Sequence, residues 1–212
     1  MKSFLALRAT PGIGRLAMLA AMIGPVQAVL GWIISGALWP GFDHVRSTIS
    51  DLAANDSPVK WVQSSFFVLG GTLSLIVAWQ ARSFAMPGRI VIFLSGLTTY
   101  GLTIFATPTQ ETSSVWHRVF AIATFILMSA WPLFSFRRAD VVPWPLRPWG
   151  AIAAMIVFTV GSFAFLAVWR DPTQPAIGLW ERVMAESQVV YLSLVIVLAW
   201  RFERSREAVV KS

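Results

Sequence analysis

The chain has no cysteine, two histidines, two tyrosines and only 13% charged residues among its 212. Without cysteine, disulfides, thiolate nucleophiles and thiolate metal sites are excluded. The histidines, His44 and His117, stand far apart, and no His-x-x-x-His or His-Glu-x-x-His spacing places two metal ligands on one helix. There is no Gly-x-Ser-x-Gly elbow, no internal repeat and no low-complexity segment.

What is present is apolar: 56% hydrophobic residues and 11 Trp. Five or six uncharged stretches of 17 to 23 residues match the roughly 20 residues a helix needs to cross about 30 Å of hydrocarbon. Soluble helices would alternate polar faces instead. The expected fold is therefore all-α, one polytopic transmembrane bundle of six helices over residues 1–212, with spans at about 16–38, 61–81, 90–106, 118–136, 149–169 and 177–200. Tryptophan gives an independent ruler. The pairs Trp61/Trp79, Trp149/Trp169 and Trp180/Trp200 are 18, 20 and 20 residues apart. At the helical rise that is about 27 to 30 Å, the spacing of two interfacial aromatic belts.

Charge orients the bundle. Twelve of the 17 Lys and Arg residues fall in the N-terminal segment, the second and fourth connections and the C-terminal tail. Cytoplasmic segments retain Lys and Arg during insertion, so both termini are expected inside a cytoplasmic (inner) membrane crossed several times. The formal charge of +7 comes from these scattered juxtamembrane cations, including Lys2, Arg8, Arg15, Arg201, Arg204, Arg206 and Lys211. Such scatter argues for contact with anionic lipid and against nucleic-acid binding. A cleavage site at Val26-Gln27-Ala28 is disfavoured because the apolar run continues to Ile34, and Pro25 is expected to bend a retained helix.

The opposite loops carry the unusual chemistry. The first, residues 39–60, holds Asp43, His44, Arg46, Ser47, Ser50 and Asp51, with a short helix expected in its middle. The third ends in His117-Arg118, with Thr112, Ser113 or Ser114 as N-cap. Glu181, Arg182 and Glu186 open the last span, where Arg182 and Glu186 are spaced to pair. Glu186 should sit roughly 9 Å below the outer boundary and must face the bundle interior, find a cation or become protonated.

Several short motifs together carry a resemblance. Ile49-Ser50-Asp51-Leu52-Ala53 follows the first span, Thr107-Pro108-Thr109-Gln110 the third, His117 opens the fourth, and Gly178-Leu179-Trp180-Glu181-Arg182 opens the sixth. In this the chain resembles the uncharacterised bacterial and archaeal membrane family called domain of unknown function 998, over nearly its whole length. The resemblance implies a six-helix bundle and no established activity. Where that family has an acid in its Phe-Pro-x-Asp turn, this chain has Gln110, which removes any role a carboxylate would perform there.

Three arrangements of the outer groups follow. A nucleophilic site would pair Ser50 or Ser47 with His117 as base and Asp51 or Asp43 as orienting acid. A metal site would gather His44 and His117 with a carboxylate such as Asp51. Otherwise Asp43, Asp51, Arg46 and Arg118 form salt bridges and caps pinning the first loop over the bundle. A transport route is poorly provided for, since Ser74, Thr98, Thr99, Thr124 and Ser193 can bond to carbonyls one turn away. The preferred expectation is binding of a membrane lipid, an apolar small molecule or a membrane-protein partner in a cavity rimmed by Asp43, His44, Arg46, Arg118, Glu181, Arg182 and Glu186. The alternative is hydrolysis of a lipid ester or amide by Ser50, Asp51 and His117. No cofactor is implied.

Overall fold

The structure is a computed structural model that describes residues 12–137 and 142–211. Lys2, Arg8 and Arg138, three of the cations used above to orient the chain, lie outside the described residues, as does the side chain of Lys211. Six long helices account for most of the rest: α1 (Arg15–Ala37), α3 (Lys60–Gln80), α4 (Met86–Ile104), α5 (Val115–Ser135), α6 (Pro148–Arg170) and α7 (Ile177–Lys211). A single turn, α2 (Ile49–Leu52), interrupts the α1–α3 connection. Five of these helices, α1, α3, α5, α6 and α7, are long and apolar enough to cross a membrane. In a bilayer the helix is the natural choice, because no water is present to satisfy unpaired backbone groups.

The approach to α6 and the end of α7 carry local features, and the second departs from the sequence reading. The Pro-rich segment before α6 is not wholly extended, because Trp144–Leu146 forms a 3-10 turn. Pro145 sits at its start, where the missing N–H has no intrahelical acceptor to lose. The last helix also continues past Trp200 to Lys211, since nothing in Arg201 to Glu207 breaks a helix. Pro25 lies inside an uninterrupted α1.

The long helices pack in chain order, each against the next, and α7 returns to α1 to close a ring. Neighbours joined by short connections run antiparallel, so α2, the start of α5 and the start of α7 meet at one end. That end is hollow, while the other is filled by Val77, Phe84, Ile92, Trp131, Leu146 and Ile196. There the Phe84 and Trp131 rings stack at 5.5 Å. Outward faces remain apolar: Val157, Val160 and Phe163 of α6 are all more than half exposed. Trp61, Trp79 and Trp149 are likewise exposed near helix ends, as belt residues would be.

The filled end is tied by arginine and glutamate. Arg89 donates to the carbonyls of Ala78 and Trp79, the last turn of α3, at 2.7 and 2.8 Å. Arg137 donates to Ser83, Arg82 and Phe84 carbonyls. Arg89 thus serves carbonyls that a helix end leaves without partners, and Arg137 serves carbonyls of the α3–α4 connection. Glu203 accepts from the Ile13 amide at 2.9 Å and from the Ser83 hydroxyl, which ties α7 to the start of α1.

Close packing of α3 on α4 depends on two glycines. A Cβ on Gly96 would lie 2.9 Å from the Gly71 carbonyl oxygen, and one on Gly71 3.0 Å from that of Gly96. Both obstacles are backbone, so neither can swing aside. Gly96→Val should therefore force the two helices apart and lower stability by about 1 to 3 kcal/mol, read as a drop in thermal midpoint of the purified protein. An unchanged midpoint would show that the contact is dispensable.

Candidate functional site

The hollow end encloses an elongated cavity of about 190 Å³, lined by α1, α2, α3, α4, α5 and α7. Its walls are mostly aliphatic and aromatic, from Phe66 and Phe67 down to Val77 and Ile196. Ile49 and Ser50 of α2 roof it, and Glu181 and Glu186 face it from α7. From Glu181 to Ile196 the lining covers about 22 Å of helix. Three amide side chains, Gln27, Gln63 and Gln188, also lie on the wall and are almost completely buried.

The roof is held down by Arg182, which is only 5% exposed. Its Nη1 donates to the carbonyls of His44 (2.7 Å), Ser47 (2.8 Å) and Gly178 (2.8 Å), two hydrogens shared among three acceptors. The guanidinium also lies over the rings of Trp32 and Phe42, at 5.2 and 5.8 Å from their centroids. Gly178 makes this approach possible: a Cβ there would lie 2.0 Å from the Ser47 carbonyl oxygen. The Leu179 amide adds a bond to the Val45 carbonyl at 3.2 Å, and the Asn55 amide one to Thr107 at 2.9 Å.

Within the roof, Thr48 and Asp51 form a reciprocal capping box for α2. Asp51 accepts from the Thr48 amide at 2.7 Å, and Thr48 Oγ1 from the Asp51 amide at 3.0 Å. Burial pushes the Asp51 carboxyl above the usual carboxylate range, against the lowering pull of these bonds. Asp43 is exposed and held below its usual range, chiefly by the amides of Val45 and Arg46. His44 lies edge-on to Trp32 and Phe42 with its ring over Gly36. Desolvation, then the nearby Arg182, lowers its pKa, which favours the neutral ring.

Directly under α2, Ser50 Oγ lies 3.1 Å from His117 Nε2 and 3.3 Å from Glu181 Oε1. His117 is buried at the start of α5, whose N-cap is Ser114. Its Nδ1 is 3.1 Å from the Phe105 carbonyl oxygen, which can only accept. The proton of the neutral ring therefore sits on Nδ1, leaving the Nε2 lone pair facing the Ser50 hydroxyl. One hydroxyl hydrogen serves one acceptor at a time. With His117 neutral, Nε2 and Glu181 Oε1 compete for it; with His117 protonated, the ring becomes the donor and Ser50 turns to Glu181. The second Glu181 oxygen accepts the Ile49 amide.

The residues singled out from sequence thus divide. Ser50, His117 and Glu181 converge, with Arg182 behind them. Asp51 is not the acid that orients His117, because its carboxylate is taken by the α2 cap. The orienting group is the Phe105 carbonyl, and the acid beside Ser50 is Glu181. Arg182 does not pair with Glu186 despite the i,i+4 spacing; its side chain turns to the main-chain carbonyls instead, and Glu186 Oε2 is left buried without a partner. Arg46 and Asp43 make an exposed contact at 3.8 Å, and Arg118 points outward, so neither arginine reaches the cavity. His44, His117 and Asp51 do not assemble as metal ligands; among the described residues no group of three His, Cys, Asp or Glu does.

Sequence reasoning passed over Gln27, Gln63 and Gln188. The available signal was an amide inside an otherwise apolar span, as costly as a hydroxyl and less able to bond its own helix. The hydroxyls did behave locally: Ser74, Thr99 and Thr124 bond to Gly70, Ser95 and Phe120 carbonyls of their own helices.

Fold and composition together define a helical, multi-pass membrane protein. The chain belongs to the family described as protein of unknown function (DUF998), whose model matches residues 22–200. That match takes in α2, His117 and Glu181 alike. Neither a curated protein nor a solved structure matches the chain.

Two outcomes test this construction. Arg182→Met leaves three carbonyls and the nearby carboxylates without their cation, and should cost about 2 to 4 kcal/mol and open residues 43–52 to limited proteolysis; a variant as protease-resistant as the parent would refute the anchoring role. For Asp51 the sign is set by its raised pKa in the folded state. Its contribution to stability is present at low pH and lost as pH rises through the folded pKa. Asp51→Asn keeps an acceptor for Thr48 and should flatten that part of the stability–pH curve, measured by thermal unfolding between acid and neutral pH.

Proposed function

We propose that this protein binds a lipid or an apolar-tailed small molecule in the cavity beneath α2. The observation that carries the reading is the cavity itself: a long, mostly apolar space closed at one end, with its carboxylates and amides toward α2 and, among polar groups, only serine hydroxyls in its deepest part. Such a distribution suits an amphiphile, whose tail needs only dispersion and burial while its head needs a few placed partners. It gives little to a hydrophilic solute, which would need polar groups along the full path.

The topology that fits this reading has six spans. Helix α4 serves as the sixth, its Arg89 lying at the end next to α3's last turn. Both termini then lie in the cytoplasm and α2 on the outer face of the cytoplasmic membrane, a placement supported by the gathering of Arg82, Arg89, Arg137 and Arg147 opposite α2. A ligand enters either beneath the roof or between helices from the surrounding lipid. A membrane-protein partner would use the exposed face of α6.

The test uses Gly24, which faces the cavity. A Cβ there meets Ser193 Oγ and Val189 Cγ1 at 3.6 Å, ordinary contact, and Gly24 lines the cavity. Gly24→Leu should fold and lose at least tenfold in retained lipid or apolar ligand, measured by mass spectrometry of organic extracts of the purified protein. Equal extracts from both proteins would reject the reading.

A second reading is favoured by one geometric fact, the 3.1 Å contact between Ser50 Oγ and the lone-pair nitrogen of His117. In it Ser50 attacks an ester or amide carbonyl of the bound molecule while His117 Nε2 takes the hydroxyl proton and later delivers it to the leaving group. A fluorophosphonate should then label Ser50 in the parent, not in Ser50→Ala, and slowly in His117→Gln. Absence of labelling in the folded parent would leave binding alone.

A further inference from the structure

The cavity wall carries two carboxylates and no Lys, Arg or His. The hydrogen bonds that Arg182 makes all come from Nη1 and go to the roof and its own helix, while its Nε and Nη2 are buried without a hydrogen-bond partner. Gln63 is 2% exposed and Gln27 8%, and both have an Oε1 that is buried without a hydrogen-bond partner. Glu186 Oε2 is in the same state. Trp32 lies beside Glu186, but no hydrogen bond of ordinary geometry joins them. An unpartnered buried amide oxygen costs about 1 to 3 kcal/mol and a carboxylate more, so three on one cavity wall point to something that supplies donors. Turning either amide exchanges its oxygen for an NH₂, but a carboxylate has no such choice.

Position along the helices narrows the chemistry. Counting rise from the helix ends, Gln63 and Glu181 lie about 5 to 6 Å below the roof. Gln27 and Glu186 lie about 14 to 15 Å below it. Each level combines one amide with one carboxylate, contributed by different helices. At the upper level both Glu181 oxygens have partners, the Ile49 amide and Ser50. At the lower level Glu186 retains the open acceptor. Below it, for about 15 Å to Ile196, the lining includes Leu73, Val77, Leu192 and Ile196.

From this arrangement we infer that the ligand class is a cationic amphiphile, a protonated primary amine on a single apolar tail, with its ammonium at Glu186 and Gln27 and its tail directed toward Ile196. An ammonium has three hydrogens and no acceptor, which complements this acceptor set, and its charge balances the carboxylate. A carboxylate or phosphate head would meet Glu186 with like charge, and an alcohol brings one hydrogen and no charge. The inference rests on the cavity-binding reading and specifies its head group.

The experiment compares dodecylammonium, dodecanol and dodecanoate as ligands of the full-length protein in nanodiscs of zwitterionic lipid, by ligand-induced shift of the thermal midpoint across a concentration series. Empty nanodiscs and the Gly24→Leu variant correct for partitioning into lipid. Expected is an apparent affinity for dodecylammonium at least tenfold above that for dodecanol, with dodecanoate weakest. Glu186→Gln should erase the preference for the amine and keep the response to dodecanol. If amine and alcohol bind equally to the parent, the head-group inference is wrong while cavity binding stands. If none of the three shifts the parent beyond Gly24→Leu, cavity binding fails as well. Should Glu186→Gln not fold, the comparison among the three ligands on the parent still decides the matter.

Discussion

One guanidinium sets the arrangement at the hollow end. Arg182 is buried, and its Nη1 is shared among the carbonyls of His44, Ser47 and Gly178, so the α1–α3 connection is drawn onto the first turn of α7. That attachment puts α2 over the cavity, which in turn sets Ser50 between His117 and Glu181. A lysine would offer a point charge on a flexible stem, whereas the flat guanidinium reaches the carbonyls while stacking on Trp32 and Phe42. The isolated burial of such a charge would be prohibitive. Here charged neighbours, aromatic faces and carbonyl dipoles replace the water it has lost.

The bundle is unevenly filled. At one end bulky side chains close the ring around the stacked Phe84 and Trp131. Along α1, small residues such as Ala20, Ala21, Gly24 and Ala28 line the cavity. Close-packed interiors leave few voids larger than a water molecule, so a long cavity with buried, unpartnered acceptors is an unusual feature of the bundle. The two proposed readings, binding and Ser50–His117 chemistry, would share this cavity, because each would begin with an apolar tail in the bundle and a polar group beneath α2.

Much of the architecture was legible in the chain. Long uncharged runs flanked by tryptophan mark helices that must satisfy their own backbone in lipid, and the structure has helices at each of them. Ser114 as N-cap of α5 and the cluster of polar groups near α2, His117 and Glu181 follow from local rules of capping and charge. The assignment of acids did not. Asp51 is adjacent to Ser50 in sequence, yet helix α2 directs it to its own N-cap, and Glu181 arrives from a helix more than a hundred residues away. The i,i+4 rule paired Arg182 with Glu186, but the His44 and Ser47 carbonyls brought in by tertiary packing, with the Gly178 carbonyl of its own helix, outcompete one carboxylate on that helix.

By itself the sequence determined that the protein is helical, apolar on its outside and polar at a few loop positions, because hydrophobic length, capping and charge act over one helix or one turn. Only the tertiary structure decided which polar groups meet, which are left without partners and that a cavity lies between them. Those outcomes depend on side chains from separate helices reaching one point, and on how much space the ring leaves at its centre. Neither quantity is carried by any single segment of the chain.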